Sequence, residues 1–189
     1  MLKGFAALLE THPHARLVLK GADNLYPSQQ LLLDTAKLLT QSERTRLQPR
    51  LHYFGDPCSY SEMARFYQMS DAYVAPYLAE GFNMPVLEAI ACGLPVICTG
   101  GGATDDFTRD DFAMRIGSQA KTITLAPGVI GKELHPDQDH LIELMRHVID
   151  DPSFTARALK AGPEFVRGHY TWTHVVDQLL GTLFPSHKE

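Results

Sequence analysis

Two apolar runs of strand length, Ala72 to Ala75 and Pro95 to Cys98, bracket the stretch Ala79-Glu80-Gly81-Phe82-Asn83-Met84-Pro85-Val86-Leu87-Glu88-Ala89-Ile90-Ala91-Cys92-Gly93-Leu94. Read as strand, turn, helix and strand, this is the repeating unit of an α/β fold with a parallel sheet. The turn has the composition of a ligand loop. Gly81 permits positive φ or close backbone approach, Asn83 suits an N-cap, and Pro85 has no N–H to lose in a first helical turn. A helix starting at Asn83 or Met84 would aim its free N–H groups and the positive end of its dipole out of the carboxyl edge of the sheet. A phosphate is stabilised there without a basic side chain.

Two carboxylates flank this anion site, Glu80 before the turn and Glu88 inside the helix. Both are badly placed for phosphate and well placed to accept hydrogen bonds from hydroxyls on either side of it. A diphosphate between two polyols fits that geometry, and a nucleotide sugar is such a ligand. The residues alone leave a second reading open, in which Glu88 merely favours the first half of a helix and Glu80 is a solvated loop charge.

Glu80 to Glu88 reads E-x7-E, and the run EGFNMPVLEAIACGLPVI resembles the signature of retaining GT-B glycosyltransferases of the group 1 (family 4) type, in their C-terminal, donor-binding domain. FAALLETHPHARLVLKG (Phe5 to Gly21) resembles that family's helix and following strand, and LHYFGDPCSYSEMARFYQMSDAYVAPYLAEGF its next strand, helix and strand. Tyr170-Thr171-Trp172 resembles the aromatic pair that opens its last helix. The resemblance implies a Rossmann-like three-layer αβα domain with a mostly parallel sheet, one half of a GT-B fold, with a helical C-terminus. The implied reaction is transfer of a sugar from a UDP-, GDP- or ADP-sugar to an unknown acceptor, with retention at the anomeric carbon and without a metal or other cofactor.

By that resemblance Glu88 holds the ribose hydroxyls and Glu80, as the catalytic position, contacts the transferred sugar. Asn83 and Met84 offer main-chain bonds to the sugar or its phosphate, and the amides near Met84 to Leu87 meet the charge of the leaving group. Gly81, Phe82, Pro85 and Val86 complete the donor loop, and Gly21 lies against the donor. The loop Gly55-Asp56-Pro57-Cys58 is where the nucleobase sits, and Gly100-Gly101-Gly102 borders the site. From the residues alone, Gly21 reads equally as an ordinary turn glycine, and Asp56 reads more simply as a turn residue. Gly100 to Gly102 lack the Lys and Ser or Thr of a P-loop and do not form G-x-G-x-x-G. The two carboxylates do not suggest glycoside hydrolysis, since a phosphate-type helix start serves no such hydrolase.

The 189 residues read as one domain, and at 44 % hydrophobic they can bury a core. The family's acceptor domain is absent from this reading, as is the strand with an Arg and a Lys that opens its donor domain. In the order 3-2-1-4-5-6 that strand is central. Its absence would leave unpaired backbone groups between the Arg16 to Lys20 strand and the Ala72 to Ala75 strand. Those two strands are therefore expected to pair directly, or to receive a strand from another chain or from a longer natural protein. Lys3 is out of register with the family's basic pair and is taken as a surface residue.

A formal charge of -5 argues against a nucleic-acid footprint. No apolar run is long enough to span a bilayer and no leader precedes the first helix. Cys58, Cys92 and Cys98 are odd in number and lack C-x-x-C spacing, so neither a disulfide framework nor a zinc site is indicated, and a reducing cytoplasm is the simplest home. His140 and His147 lack a nearby third ligand and read as helix-face residues.

In order, the pattern predicts helices over Leu2 to Leu9, Gln29 to Thr40 (Ser28 as cap), a segment capped by Ser59 or Ser61 through Met69, Pro136 to Ile149, Phe154 to Arg167 and Trp172 to Leu183. Strands are expected at Arg16 to Lys20 and Arg50 to Phe54. Phe107 to Gly131 reads as an insertion shielding one edge of the cleft, with a strand at Thr122 to Leu125 and a turn at Pro127-Gly128. The apolar stripes of the last three helices are most simply core. Three functions remain open: the donor half of a glycosyltransferase needing an acceptor domain or second chain, a nucleotide-sugar binding module that transfers nothing, and an interaction domain using its last helix.

Overall fold

The computed structural model describes residues 1–184. Parallel strands alternate with helices: α1 (Leu2–Leu8), β1 (Leu17–Lys20), α2 (Ser28–Ala36), α3 (Gln41–Leu47), β2 (Leu51–Phe54), α4 (Tyr60–Gln68), β3 (Tyr73–Ala75), α5 (Met84–Ala91), β4 (Val96–Thr99) and β5 (Ala113–Ile116). A hairpin of β6 (Ser118–Ala126) and β7 (Val129–Pro136) follows, then α6 (Gln138–Asp150), α7 (Pro152–His169) and α8 (Trp172–Leu183).

Strand β4 is buried throughout, and its side chains alternate between two cores, the pattern of a strand covered on both faces. Ile97 joins Phe5, Leu8, Leu141 and Met145 beneath α1 and α6. Val96 and Cys98 join Val86, Ile90, Phe112 and Ala158 beneath α5 and α7. These are the three layers that the resemblance implied.

The sheet is in two pieces. β1 pairs with β2, and β3 pairs with β4, which pairs with β5, all in parallel. Among the described residues β1 and β3 do not pair, so the expected direct ladder between them does not form. Leu17 and Leu19 of β1 and Val74 of β3 pack against one apolar cluster with α1 and α6. A common helix layer, rather than backbone hydrogen bonds, carries the two pieces.

Several elements depart from the expectations. The helix expected to run from Gln29 to Thr40 stops at Ala36, because Thr40 starts α3: its side chain accepts from the Glu43 amide and the Glu43 carboxylate accepts from the Thr40 amide. Ser28 is the first residue of α2 rather than its cap, and its hydroxyl accepts from the Ala22 amide. No residue of α2 is fully buried; Leu32 and Ala36 rest against the core while Leu31 and Leu33 are exposed, so its core face is narrow. Ser59 caps α4 as one of the two candidates, in a second reciprocal box with Glu62. α8 also buries no residue, which corrects its assignment to the core, whereas α6 and α7 bury their stripes. The segment 107–131 holds more than an insertion, since β5 within it pairs with β4 at the edge of the parallel order and β6 begins at Ser118.

Helix α5 ends in a Schellman turn: the Leu94 amide donates to the Ala89 carbonyl and the Gly93 amide to that of Ile90. Gly93 has φ of 84°, and a Cβ there would also meet the Leu159 backbone. This close stop sends the chain into β4 and fixes where the other end of α5 points.

Candidate functional site

The first turn of α5 emerges beyond the carboxyl ends of β3 and β4, as expected. Its entry is made by Asn83, whose φ of 70° and ψ of 64° are left-handed, the single non-glycine positive φ among the described residues. The sequence assigned that conformational freedom to Gly81. Asn83 instead takes it, as Asn tolerates αL better than most residues, and its side chain makes no capping bond. Gly81 is exposed, and a Cβ built there would meet nothing within 4 Å.

The result is a short row of donors. The amides of Gly81, Phe82, Asn83 and Met84 have no acceptor among the described residues, and Pro85 has no N–H. The Val86 amide does not belong to the row, because it donates to the Asn83 carbonyl at 3.0 Å. Val86 and Leu87 point their side chains into the core and anchor the helix. Phe82 stacks on the buried Phe107 at 4.8 Å between ring centroids, with Tyr170 beyond, so the loop is pinned by its side chain.

Glu88 lies one helical turn behind these amides. One of its carboxylate oxygens accepts a hydrogen bond from the Tyr67 hydroxyl at 2.8 Å. Burial and that bond to a carboxylate push the Tyr67 phenol well above its ordinary range, so it stays a donor. Tyr73, stacked edge-on to Tyr67, is pushed up to about 12 by burial and then by the charges of Glu88 and Glu80. Glu88 is thus oriented by a residue that nothing in the α4 sequence pattern singled out.

Glu80 is exposed, on a segment held from both sides. The Thr99 hydroxyl donates to the Tyr77 carbonyl at 2.7 Å, and the Leu134 amide of β7 donates to the next carbonyl, that of Leu78, at 2.6 Å. A cleft of about 170 Å³ opens here, lined by Glu80, Tyr77, Gly101, Gly102, Lys132 and Leu134 among others. Gly102 is needed at its wall, since a Cβ would come within 2.7 Å of the Tyr77 hydroxyl and 2.8 Å of Leu134. The Gly101 amide is committed to the Asp105 carboxylate at 2.8 Å.

Gly21 has a different reason for being glycine than a ligand. A Cβ there would overlap the Tyr53 phenol, which donates to Asp23 at 2.7 Å. The neighbouring Lys20 ammonium donates to the Gly21 and Asp56 carbonyls and ties the end of β1 to the 55–58 loop. Beside that loop lies a second cavity of about 360 Å³, lined by Asp56, Pro57, Cys58, Arg65, Phe66 and Met69 with Glu62. Among the described residues no three His, Cys, Asp or Glu side chains converge as a metal site, and His140 instead accepts from the Gly117 amide.

The chain has relatives among known proteins. The model of the family described as "Glycosyl transferases group 1" matches residues 1–165. The chain belongs to that family. A D-inositol 3-phosphate glycosyltransferase of Nocardiopsis dassonvillei is 30 % identical over 190 residues, covering 95 % of this chain and 38 % of that protein. A GDP-mannose-dependent monoacylated alpha-(1-6)-phosphatidylinositol monomannoside mannosyltransferase of Corynebacterium glutamicum is 26 % identical, covering 97 % of this chain and 42 % of its own length. The group 1 glycosyltransferase chain therefore spans well under half the length of these relatives.

Among solved structures, sucrose-phosphate synthase from Thermosynechococcus elongatus superposes with a TM-score of 0.71 at 20 % identity, over 97 % of this chain and 42 % of that one. Anabaena HepE in complex with UDP-glucose gives 0.69 at 16 %, over 96 % and 43 %. These likenesses carry the fold, one Rossmann-like half of a GT-B enzyme.

Proposed function

We propose that this group 1 glycosyltransferase domain binds a nucleotide-diphosphate sugar and presents it for transfer, with retention, to an acceptor held outside the described residues by another domain or chain. The observation that carries this is the row of unpartnered amides from Gly81 to Met84 at the start of α5, standing between Glu80 and Glu88. The amides and the helix dipole bind the diphosphate. When the bond from the anomeric carbon to the phosphate oxygen breaks, its electron pair leaves with the diphosphate, and fixed donors stabilise that added charge without reorganising. No step requires a metal.

Glu88, with one oxygen held by Tyr67, keeps its other oxygen for the ribose hydroxyls. Glu80 accepts from the transferred sugar. The cavity beside residues 55–58 takes the base, which is consistent with the loop's backbone being ordered by Lys20. HepE was solved with UDP and with UDP-glucose, and the corynebacterial relative is GDP-mannose-dependent, so uridine and guanosine are the bases to try first. The three free cysteines accord with a reducing cytoplasm, and no helix of the described residues is long and apolar enough to cross a membrane.

The test is a calorimetric titration with UDP, GDP and ADP, each alone and as a hexose conjugate, alongside Glu88→Ala. Saturable binding of one nucleotide, weakened at least tenfold by the substitution, is expected. A folded chain that binds none of them overturns the reading.

A further inference from the structure

We infer that Lys132, carried on the β6-β7 hairpin, is a specificity-determining residue that donates a hydrogen bond to a hydroxyl of the transferred sugar, opposite Glu80. The inference rests on the donor-binding reading and adds to it a residue that the signature run does not contain.

The hairpin is not an ornament on the surface. Its second strand is fastened to the segment that leads into Glu80 by the bond from the Leu134 amide to the Leu78 carbonyl, and Leu134 itself is buried. Side chains two residues apart on a strand share a face. Lys132 therefore stands on the same face as Leu134 and lines the same 170 Å³ cleft as Glu80 and the glycine loop. Its neighbour Glu133 points the other way, where its carboxylate bonds His135 at 3.1 Å. Lys132 has no acidic partner among the described residues, and Glu80 has no basic one. Lys132 and Glu80 thus both line one small cleft, and neither is paired elsewhere.

The charges decide what the cleft takes. Asn83 and Met84, whose amides would hold the diphosphate, are not part of its wall, and one carboxylate with one ammonium leaves the wall without net charge to draw a phosphate. A neutral polyol is favoured, because each hydroxyl can donate to Glu80 or accept from Lys132. The two groups together fix the orientation of a sugar ring better than either alone, and a site built to hydrogen-bond hydroxyls discriminates strongly against an analogue that lacks or misplaces one.

The experiment compares the wild-type chain with Lys132→Ala, Lys132→Arg and a control on the opposite face of the hairpin, Lys121→Ala. The probes are UDP against UDP-glucose and GDP against GDP-mannose, titrated by calorimetry, with circular dichroism as the check on folding. Lys132→Ala is expected to weaken the hexose conjugate about tenfold and leave the bare diphosphate unchanged, with Lys132→Arg recovering most of the loss and Lys121→Ala without effect. Equal weakening of both ligands would place Lys132 on the diphosphate and overturn the assignment to the sugar. A variant that matches wild type for both overturns it as well, while leaving donor binding standing. A wild-type chain that binds neither nucleotide nor conjugate overturns the donor-binding reading itself.

Discussion

The contact that aims α5 can be tested at Gly162. This residue of α7 is buried against α5, and a Cβ there would lie 2.7 Å from the Ile90 carbonyl oxygen and 3.1 Å from the Ile90 side chain. The near atom is helix backbone, which cannot swing aside as a flexible side chain would. Residue 162 also precedes Pro163 within the helix, a setting that disfavours the α conformation for any residue with a Cβ. Overpacking of this kind costs about 1–3 kcal/mol. Replacing Gly by Ala in a helix interior otherwise gains about 1 kcal/mol.

With a backbone atom as the near contact the upper part of the overpacking range, about 2–3 kcal/mol, applies, so Gly162→Ala is expected to lose about 1–2 kcal/mol net. At roughly 2–4 °C per kcal/mol for a chain of this size, the midpoint should fall by about 2–8 °C. Gly168→Ala, in the same helix with nothing within 4 Å of its Cβ, should show the propensity gain alone and rise slightly. Urea and thermal unfolding of both variants would decide. A Gly162→Ala protein as stable as wild type, or raised in step with Gly168→Ala, would refute the close approach of α5 and α7.

Two further outcomes follow from the site. Tyr67→Phe removes the donor that orients Glu88, so nucleotide binding should weaken about tenfold, roughly 1.4 kcal/mol; the double variant with Glu88→Ala should be no worse than Glu88→Ala alone, and additive losses would show that Tyr67 acts elsewhere. Tyr73, whose phenol is pushed from its ordinary 10 to about 12, holds its proton in the folded state after the unfolded chain has released it. Its contribution is therefore intact below pH 10 and is lost as pH rises from 10 to about 12, by up to roughly 3 kcal/mol. Tyr73→Phe should flatten that part of the alkaline stability curve, and identical curves for the two proteins would sink the assignment.

Legibility in the sequence followed how local each determinant is. The start of α5 at Asn83 or Met84 and the cap of α4 at Ser59 or Ser61 were readable because each depends on residues within one turn. β5 was missed although Phe112, Met114 and Ile116 alternate with Ala113 and Arg115, a period-two signal overshadowed by the polar residues around it. β7 was missed because Lys132, Glu133 and His135 lower its apparent strand character, which comes from pairing with β6. The apolar spacing of α2 and α8 is the same whether or not anything covers it, so periodicity alone could not show that α8 is exposed and α2 only partly covered.

By itself the sequence determined the α/β order, the helix start that faces the carboxyl edge of the sheet, and the pair Glu80 and Glu88 on either side of it. These are set by turn chemistry and short-range spacing. Only the tertiary structure decided that Asn83 rather than Gly81 takes the left-handed turn, that the free amides run from Gly81 to Met84, and that Tyr67 holds Glu88. It alone brought Lys132 across to Glu80 and left the sheet in two pieces. Those outcomes depend on side chains and strands far apart in the chain, and their meeting is fixed by packing on shared helices, which no local pattern encodes.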